Sequence, residues 1–147
     1  MGIAIATIGF TKTSAEHFFE RLRAAGVERL VDIRLHPESQ LAGFAKGSDL
    51  PYLLDRIAGI TYEYEEQFAP TEAILNGYRK EKRPPEWFEE QIGQLYAERG
   101  IPDSVARDPF AQGKTVLLCS EASAEHCHRR ILAELLCGAW GADITHL

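Results

Sequence analysis

The fold of this chain is set by one segment, Gly113-Lys-Thr-Val-Leu-Leu-Cys119-Ser-Glu121-Ala-Ser-Ala-Glu-His-Cys127-His-Arg129-Arg-Ile-Leu-Ala-Glu-Leu-Leu-Cys-Gly138. Its first half is an apolar run that predicts a buried strand, and its second half has the apolar spacing of a helix. A short polar turn joins the two. Two thiols, two imidazoles, two carboxylates and two guanidinium groups fall within residues 119–130. This is the densest cluster of reactive groups in the sequence, so we expect the functional site here.

The rest of the chain alternates predicted strands with predicted helices. Apolar runs predict strands at residues 3–8 and 29–33, and helical spacing between them predicts a helix that Gly26 ends. Thr13 and Glu16 have the spacing of a capping box at its start. A strand, a helix and a second strand within about thirty residues form a βαβ unit, which implies parallel strands.

Further strands are predicted at residues 60–64, 115–119 and 143–147, the last at an edge of the sheet. Further helices are predicted at residues 51–58, 71–82 and 85–99, with loops at 35–48 and 101–112. We therefore predict a single α/β domain over residues 1–147. Its fold should be three-layered and Rossmann-like, with a mostly parallel sheet of about five strands flanked by helices.

Composition narrows the classes of partner. The chain has 147 residues, a formal net charge of −6 and a pI near 5.4. An acidic surface argues against broad binding to nucleic acids or to membrane surfaces. The one basic run, at residues 79–83, is short and interrupted by a glutamate, and we interpret it as a solvated helix end.

The cysteines indicate a reducing compartment. Cys119, Cys127 and Cys137 are an odd number, and no Cys-x-x-Cys pair occurs. The sequence shows neither a secretory leader pattern nor an apolar run of the ~20 residues that would cross a bilayer. We expect a cytoplasmic protein without a membrane partner, whose thiols are free or bind metal rather than forming disulfides.

The candidate site combines the end of one strand with the start of one helix. Ligands on parallel sheets gather beyond the carboxyl ends of the strands, where Gly9, Asp32 and Arg34 also fall. The amides of a helix N-terminus and the charge of Arg129 beside Cys127 favour a thiolate, and they equally favour a bound anion. An alternative remains open, because Cys127 shares a helical face with Ile131 and Leu135 and would there be simply buried.

Each polar group of the cluster has a possible chemical role. Cys119 and Cys127 are candidate nucleophiles, and Glu121 and His128 are candidates for moving protons. An aspartate at the end of an apolar strand is costly to bury unless it is paired. We therefore expect Asp32 to form an ion pair with an arginine, for which Arg34, Arg129 and Arg130 are the alternatives.

Two nucleotide or metal patterns are weaker. Cys119, Cys127, His128 and His146 are residue types that zinc accepts, but their spacing matches no standard zinc site. Gly113-Lys114-Thr115 has the end of a phosphate-loop motif, yet its first glycine is missing and a strand follows instead of a helix. We predict no metal site, and the sequence indicates no particular cofactor.

The whole chain resembles the family known as domain of unknown function 488. The resemblance lies in Thr7-Ile-Gly9, Asp32-Ile-Arg34 with Pro37 and Ser39, Phe44 with Lys46, Gly59-Ile-x-Tyr62, Cys119-x-Glu121, Cys127-His-Arg129 and His146. It implies a compact α/β fold that gathers these positions, and it supplies no reaction. With the resemblance, the predicted substrate-binding residues are Gly9, Asp32, Arg34, Ser39, Lys46, Tyr62 and Arg129.

The chain departs from the family after Tyr62. The family often has a Leu-Gly-Gly segment there, whereas this chain has Glu63-Tyr-Glu-Glu-Gln-Phe68. A looser likeness joins Leu30-Val-Asp-Ile-Arg34 and Cys119 with Arg129 to rhodanese-type sulfurtransferases. Nine residues separate Cys119 from Arg129, so the anion cradle of those enzymes could not form in the same way.

Three functions follow as hypotheses. The first is a small enzyme that acts on an anionic, phosphate- or carboxylate-bearing substrate at the start of the last helix. The second is a non-catalytic module that binds a nucleotide or another phosphorylated ligand in the same pocket. The third is a rhodanese-like sulfur-transfer protein or a zinc protein. The expected partner is a small anionic molecule, and the sequence does not indicate an oligomeric state.

Overall fold

The computed structural model describes residues 2–38, 43–121 and 127–147. The five strands are Ala4–Gly9 (β1), Arg29–Asp32 (β2), Thr61–Tyr64 (β3), Thr115–Cys119 (β4) and Asp143–His146 (β5). The helices are Ala15–Ala24 (α1), Leu50–Ala58 (α2), Glu72–Arg79 (α3), Pro85–Glu98 (α4), Asp108–Ala111 (α5) and His128–Trp140 (α6). Short 3₁₀ turns span Gly43–Ala45 and Glu66–Phe68. In the described ranges no helix is both long and apolar enough to cross a membrane.

The five strands form one parallel sheet in the order β3-β2-β4-β1-β5. This confirms the predicted α/β class and places β5 at an edge. Every residue of β4 is buried, as is every residue of β1 after the first. A strand reads as a continuous apolar run when helices cover both faces of its sheet, which explains the pattern of these two segments.

Alternate side chains of the strands point to opposite faces of the sheet and pack into two separate hydrophobic cores. On one face Ile5, Val31 and Leu117 pack with residues of α3, α4 and α6. On the other face Ala6, Leu30 and Val116 pack with residues of α1 and α2. Helices, sheet and helices therefore form three layers, as predicted. Cys119 belongs to the α6 side, the same side as Cys127.

Several element ends differ from their predicted positions. Helix α1 is capped by Ser14, whose hydroxyl accepts a hydrogen bond from the His17 amide at 3.1 Å, so the Thr13 capping box is wrong. Helix α6 continues through Gly138 and ends at Gly141, whose φ of 67° suits glycine. A glycine within a helix costs only about 1 kcal/mol, which the packing of this helix overrides. Helix α5 lies inside a predicted loop.

The parallel register brings the candidate residues to one edge. Gly9 lies opposite Cys119, and Asp32 lies opposite Leu118 on the other side of β4. Each of these three strands ends here, and α6 begins just beyond β4. The carboxyl edge of the sheet therefore carries the strand ends from which the site is built.

Candidate functional site

A cleft with a volume of about 110 Å³ opens at this edge of the sheet. Its polar lining comes from Arg34, Cys119, Ser120, Glu121, Cys127 and His128. Its apolar wall includes Leu35, Pro70, Leu75, Tyr78 and Phe88, and the Tyr78 and Phe88 rings stack with centroids 4.6 Å apart. The lining is mostly apolar with a few polar groups, which is the composition of small-molecule sites.

The two cysteines of the cleft meet each other. The Sγ atoms of Cys119 and Cys127 are in bonding contact, and each residue is 1% exposed. Their Cα atoms lie 7.6 Å apart, beyond the span of about 4.4–6.8 Å that most disulfides have. The pair is best described as two adjoining sulfur atoms that can be thiols or a disulfide. This corrects the expectation of separate or metal-bound thiols, and of the three cysteines only Cys137 is unpaired.

His128 is a buried, neutral imidazole with a defined tautomer. Its Nε2 lies 2.8 Å from the Ile33 carbonyl oxygen, which can only accept, so Nε2 carries the proton. Its Nδ1 is then a bare acceptor, 3.8 Å from the Cys127 Sγ. Burial lowers the pKa of His128 to about 4. His128, the first residue of α6, therefore presents a base to Cys127, the residue before it.

Arg129 is buried among protein atoms behind the cleft. Its Nε donates to the Thr7 hydroxyl at 3.2 Å, and its Nη1 donates to the Cys119 Sγ at 3.1 Å and to the Glu121 carbonyl. It is 1% exposed, and burial lowers its pKa to about 10. A Cβ at Gly9 would overlap that same Glu121 carbonyl. Gly9 and Arg129, predicted to bind substrate, thus shape the wall without lining the cleft.

Asp32 and Arg34 form a fully buried ion pair. The Asp32 carboxylate accepts from Arg34 Nε at 2.8 Å and from Arg34 Nη2 at 2.7 Å. It also accepts from the Arg34 amide and from the Tyr62 hydroxyl at 2.6 Å. Of the three arginines considered for Asp32, the structure selects Arg34. Burial, and after it the hydrogen bond and charge of Asp32, raise the pKa of Tyr62, since a phenolate here would face the carboxylate.

One nitrogen of Arg34 is left over. Its Nη1 is buried and has no hydrogen-bond partner within the described ranges, although the residue lines the cleft. A buried donor without a partner costs about 1–3 kcal/mol, so a ligand whose acceptor reached this nitrogen would remove that cost. Arg34 is 3% exposed, and its fork is held rigidly by Asp32.

Glu121 and Arg79 form the outer rim. The Arg79 Nη2 lies 3.2 Å from the Glu121 carboxylate, and both side chains are about half exposed. An ion pair this exposed contributes less than about 1 kcal/mol and opens easily. The sequence predicts a solvated helix end at Arg79, and this residue does end α3 about half exposed, but it also lines the cleft. Nothing in its sequence neighbourhood distinguishes it, because its role comes from where α3 packs.

The remaining predicted residues lie elsewhere. Tyr62 reaches the site only through Asp32. Lys46 is half-buried before α2 and does not line the cleft, and Ser39 lies outside the described residues. His146 bonds the Thr7 hydroxyl at 2.6 Å. The described residues contain no group of three side chains fit to ligate a metal, so the proposed zinc ligands do not assemble there.

The contact at Gly9 predicts a large loss of stability on adding one methyl group. Gly9→Ala should lower the free energy of unfolding by about 2–4 kcal/mol, because the carbonyl that meets it is backbone and cannot rotate away. Gly138→Ala is the matched control, since a Cβ there meets open space in a helix and should stabilise by up to about 1 kcal/mol. Urea unfolding measures both. Equal stability of the Gly9→Ala variant and wild type would contradict the geometry.

The buried neutral state of His128 predicts an acid-sensitive fold. The pKa is about 4 in the folded chain and about 6.5 when unfolded, so the unfolded state binds a proton first as pH falls. Stability should therefore decline between pH 6.5 and 4, by about 3 kcal/mol in total from this group. The urea midpoint should be measured against pH across that window for wild type and for His128→Gln, and it should change less with pH in the variant. The exposed His17→Gln should track wild type; a parallel His128→Gln profile would refute the assignment.

Comparison with known proteins gives a family and no activity. The model of the family described as domain of unknown function DUF488 matches residues 14–136, which include β2, β4 and most of α6. Neither the curated proteins nor the solved structures contain a significant match. The matched region carries both sulfur atoms of the cleft, His128, Arg129 and the Asp32–Arg34 pair. This chain belongs to the DUF488 family.

Proposed function

We propose that this protein is a small thiol-dependent enzyme that acts on an anionic substrate. One observation carries the proposal: two sulfur atoms, the bare Nδ1 of His128 and the unpartnered Nη1 of Arg34 belong to residues that line a single cleft. A nucleophile, a base and an anion-binding group are what an uncharacterised active site must contain together.

The cluster has the layout of an activated nucleophile. A thiol becomes reactive when a base takes its proton or when positive charge favours the thiolate. His128 supplies the first condition at Cys127, and its ring is oriented by a third group, the Ile33 carbonyl. Arg129 supplies the second at Cys119. Both cysteines can therefore be reactive, each for its own reason.

Arg34 is the proposed anion-binding residue. Asp32 occupies the Nε–Nη2 edge of the guanidinium and holds it fixed, so little side-chain entropy is lost when a ligand binds Nη1. Carboxylates and phosphates suit a guanidinium donor. The apolar wall that includes Leu75, Tyr78 and Phe88 favours a substrate with an apolar part beside its charge. Glu121 and Arg79 at the rim are placed to admit it.

The proposed chemistry is covalent. The thiolate attacks an electrophilic atom of the substrate and forms a bond from sulfur, while the bond to the leaving group breaks and takes the electron pair. The proton held by His128 then passes to the leaving group. The odd number of cysteines and the acidic charge lead us to propose the cytoplasm as its location and a small anionic molecule as its partner.

Alkylation of the reduced protein tests whether a reactive thiol exists. On a Cys137→Ser background, iodoacetamide should modify one cleft thiol at least about tenfold faster than free cysteine at neutral pH. In the wild-type protein Cys137 should react slowly, since burial raises the pKa of its thiol. Rates slower than free cysteine at both cleft thiols in the folded protein would reject covalent catalysis and favour the binding module.

The role of Arg34 is tested by comparing a charged and an uncharged reagent. The ratio of the iodoacetate rate to the iodoacetamide rate should be higher for the wild-type cleft than for free cysteine. Inorganic phosphate should slow the reaction of the cleft with iodoacetate. Arg34→Lys should reduce that preference by about tenfold, because lysine cannot keep the Asp32 fork and still offer a third donor. Arg56→Gln, at an exposed arginine of α2 outside the cleft lining, is the control and should change the preference little. An unchanged preference in Arg34→Lys, or no inhibition by phosphate in wild type, would contradict the assignment.

A further inference from the structure

We propose that the substrate is a small disulfide that carries an anionic group, and that Cys119 attacks it while Cys127 resolves the intermediate. The inference rests on the proposed function and adds to it the class of electrophile and a separate role for each thiol. Its basis is that the two sulfur atoms of the cleft adjoin each other while each has a different charged or basic neighbour.

The counter-charge of Arg129 identifies the attacking thiol. Arg129 is 1% exposed, and no carboxylate in the described ranges forms an ion pair with it. Its hydrogen-bond acceptors are a hydroxyl, a carbonyl and the Cys119 Sγ at 3.1 Å. A buried cation is costly unless it is paired, and among these acceptors only the sulfur can become an anion. In the reduced protein Cys119 is therefore the thiolate, and Arg129 is its positioning residue.

Cys127 is suited to the second step. Its neighbour is a neutral base, the bare Nδ1 of His128 at 3.8 Å, rather than a fixed cation. It thus keeps its proton at rest and can lose it when the intermediate forms. Because its Sγ adjoins that of Cys119, a group attached to Cys119 would lie within reach of attack.

The reaction balances as a two-electron exchange. The Cys119 thiolate attacks one sulfur of the substrate disulfide, the S–S bond breaks, and the first half leaves as a thiolate. Cys127 then gives its proton through His128 to the first released thiolate and attacks the Cys119 sulfur, which releases the second half as a thiolate. The substrate is thus reduced to one thiol and one thiolate, which takes its proton from water, and the dithiol is oxidised to the Cys119–Cys127 disulfide. A dithiol reductant, a small molecule or a protein, restores the enzyme by the reverse exchange.

The cleft also limits which disulfides fit. Arg34 Nη1 offers a donor for a carboxylate or another anionic group, and the stacked Tyr78 and Phe88 offer an apolar surface. A disulfide within a large protein would have to pass the Arg79–Glu121 pair at the rim to enter the cleft. A small, anionic disulfide with an apolar body meets all three features.

Dithiobis(nitrobenzoate), an aromatic disulfide with carboxylates, is a suitable probe. With reduced Cys137→Ser protein it should release two coloured thiolates per chain, leaving no adduct and a Cys119–Cys127 disulfide by mass spectrometry. The Cys127→Ser variant on that background should release one and retain one adduct on Cys119. The Cys119→Ser variant should react at least about tenfold more slowly. The uncharged dithiodipyridine should lose less rate than the carboxylate probe in Arg34→Lys.

The outcomes separate the two proposals. Fast alkylation with a retained adduct on wild-type Cys119 keeps the thiol enzyme and overturns the disulfide exchange. If Cys127 reacts fast in the Cys119→Ser variant and Cys119 reacts slowly in the Cys127→Ser variant, the assignment of roles to the two thiols is overturned. Slow reaction at both thiols with both reagents overturns both proposals. If a serine variant fails to fold, the count of thiolates released from Cys137→Ser protein and its final mass still decide whether the pair closes.

Discussion

The burial of Arg129 is the interaction on which the rest of the site depends. Its guanidinium joins Thr7 on β1, Cys119 at the end of β4 and the Glu121 carbonyl in the turn beyond. It thereby links α6 to β1 and β4 and holds the backbone at Glu121. Since Gly9 lies against the same carbonyl, the close approach is possible only without a side chain there. The positions of both thiols follow from this anchor.

The site divides its charges between structure and binding. Asp32 and Arg34 neutralise each other, so the pair is tolerated in the interior, and yet one nitrogen of Arg34 has no partner among the residues that the structure describes. Arg129 has hydrogen bonds to protein atoms and no carboxylate partner within the described residues. Within the described residues, the two buried cations therefore differ: Arg34 lacks a hydrogen-bond acceptor for one nitrogen, and Arg129 lacks a counter-charge. The free donor of Arg34 favours an anionic ligand, and the missing counter-charge of Arg129 favours a thiolate at Cys119.

The residues of the cluster differ in their surroundings and therefore in their suitability for each role. From sequence, Arg129 and Arg34 are equivalent anion-binding candidates, and Glu121 and His128 are equivalent proton carriers. The structure separates them, because Arg129 is enclosed by protein atoms, Glu121 is half exposed with Arg79, and His128 is buried beside Cys127. The apolar wall of Tyr78 and Phe88 also belongs to the cleft, although Phe88 has the spacing of an ordinary core residue.

The sequence alone determines the alternation of strands and helices, since apolar periodicity and glycine stops are local properties of the chain. It also determines that Asp32, Arg34, Cys119, Cys127 and His128 meet at one edge, because parallel strands end together. It could not determine that Ser14 rather than Thr13 caps α1, as both are good capping residues one position apart. Only the tertiary structure decides that the two sulfurs adjoin, that Arg79 reaches the cleft, and that one arginine is enclosed while another keeps a free donor. Those are contacts between residues distant in the chain, and side-chain packing, not local pattern, selects among them.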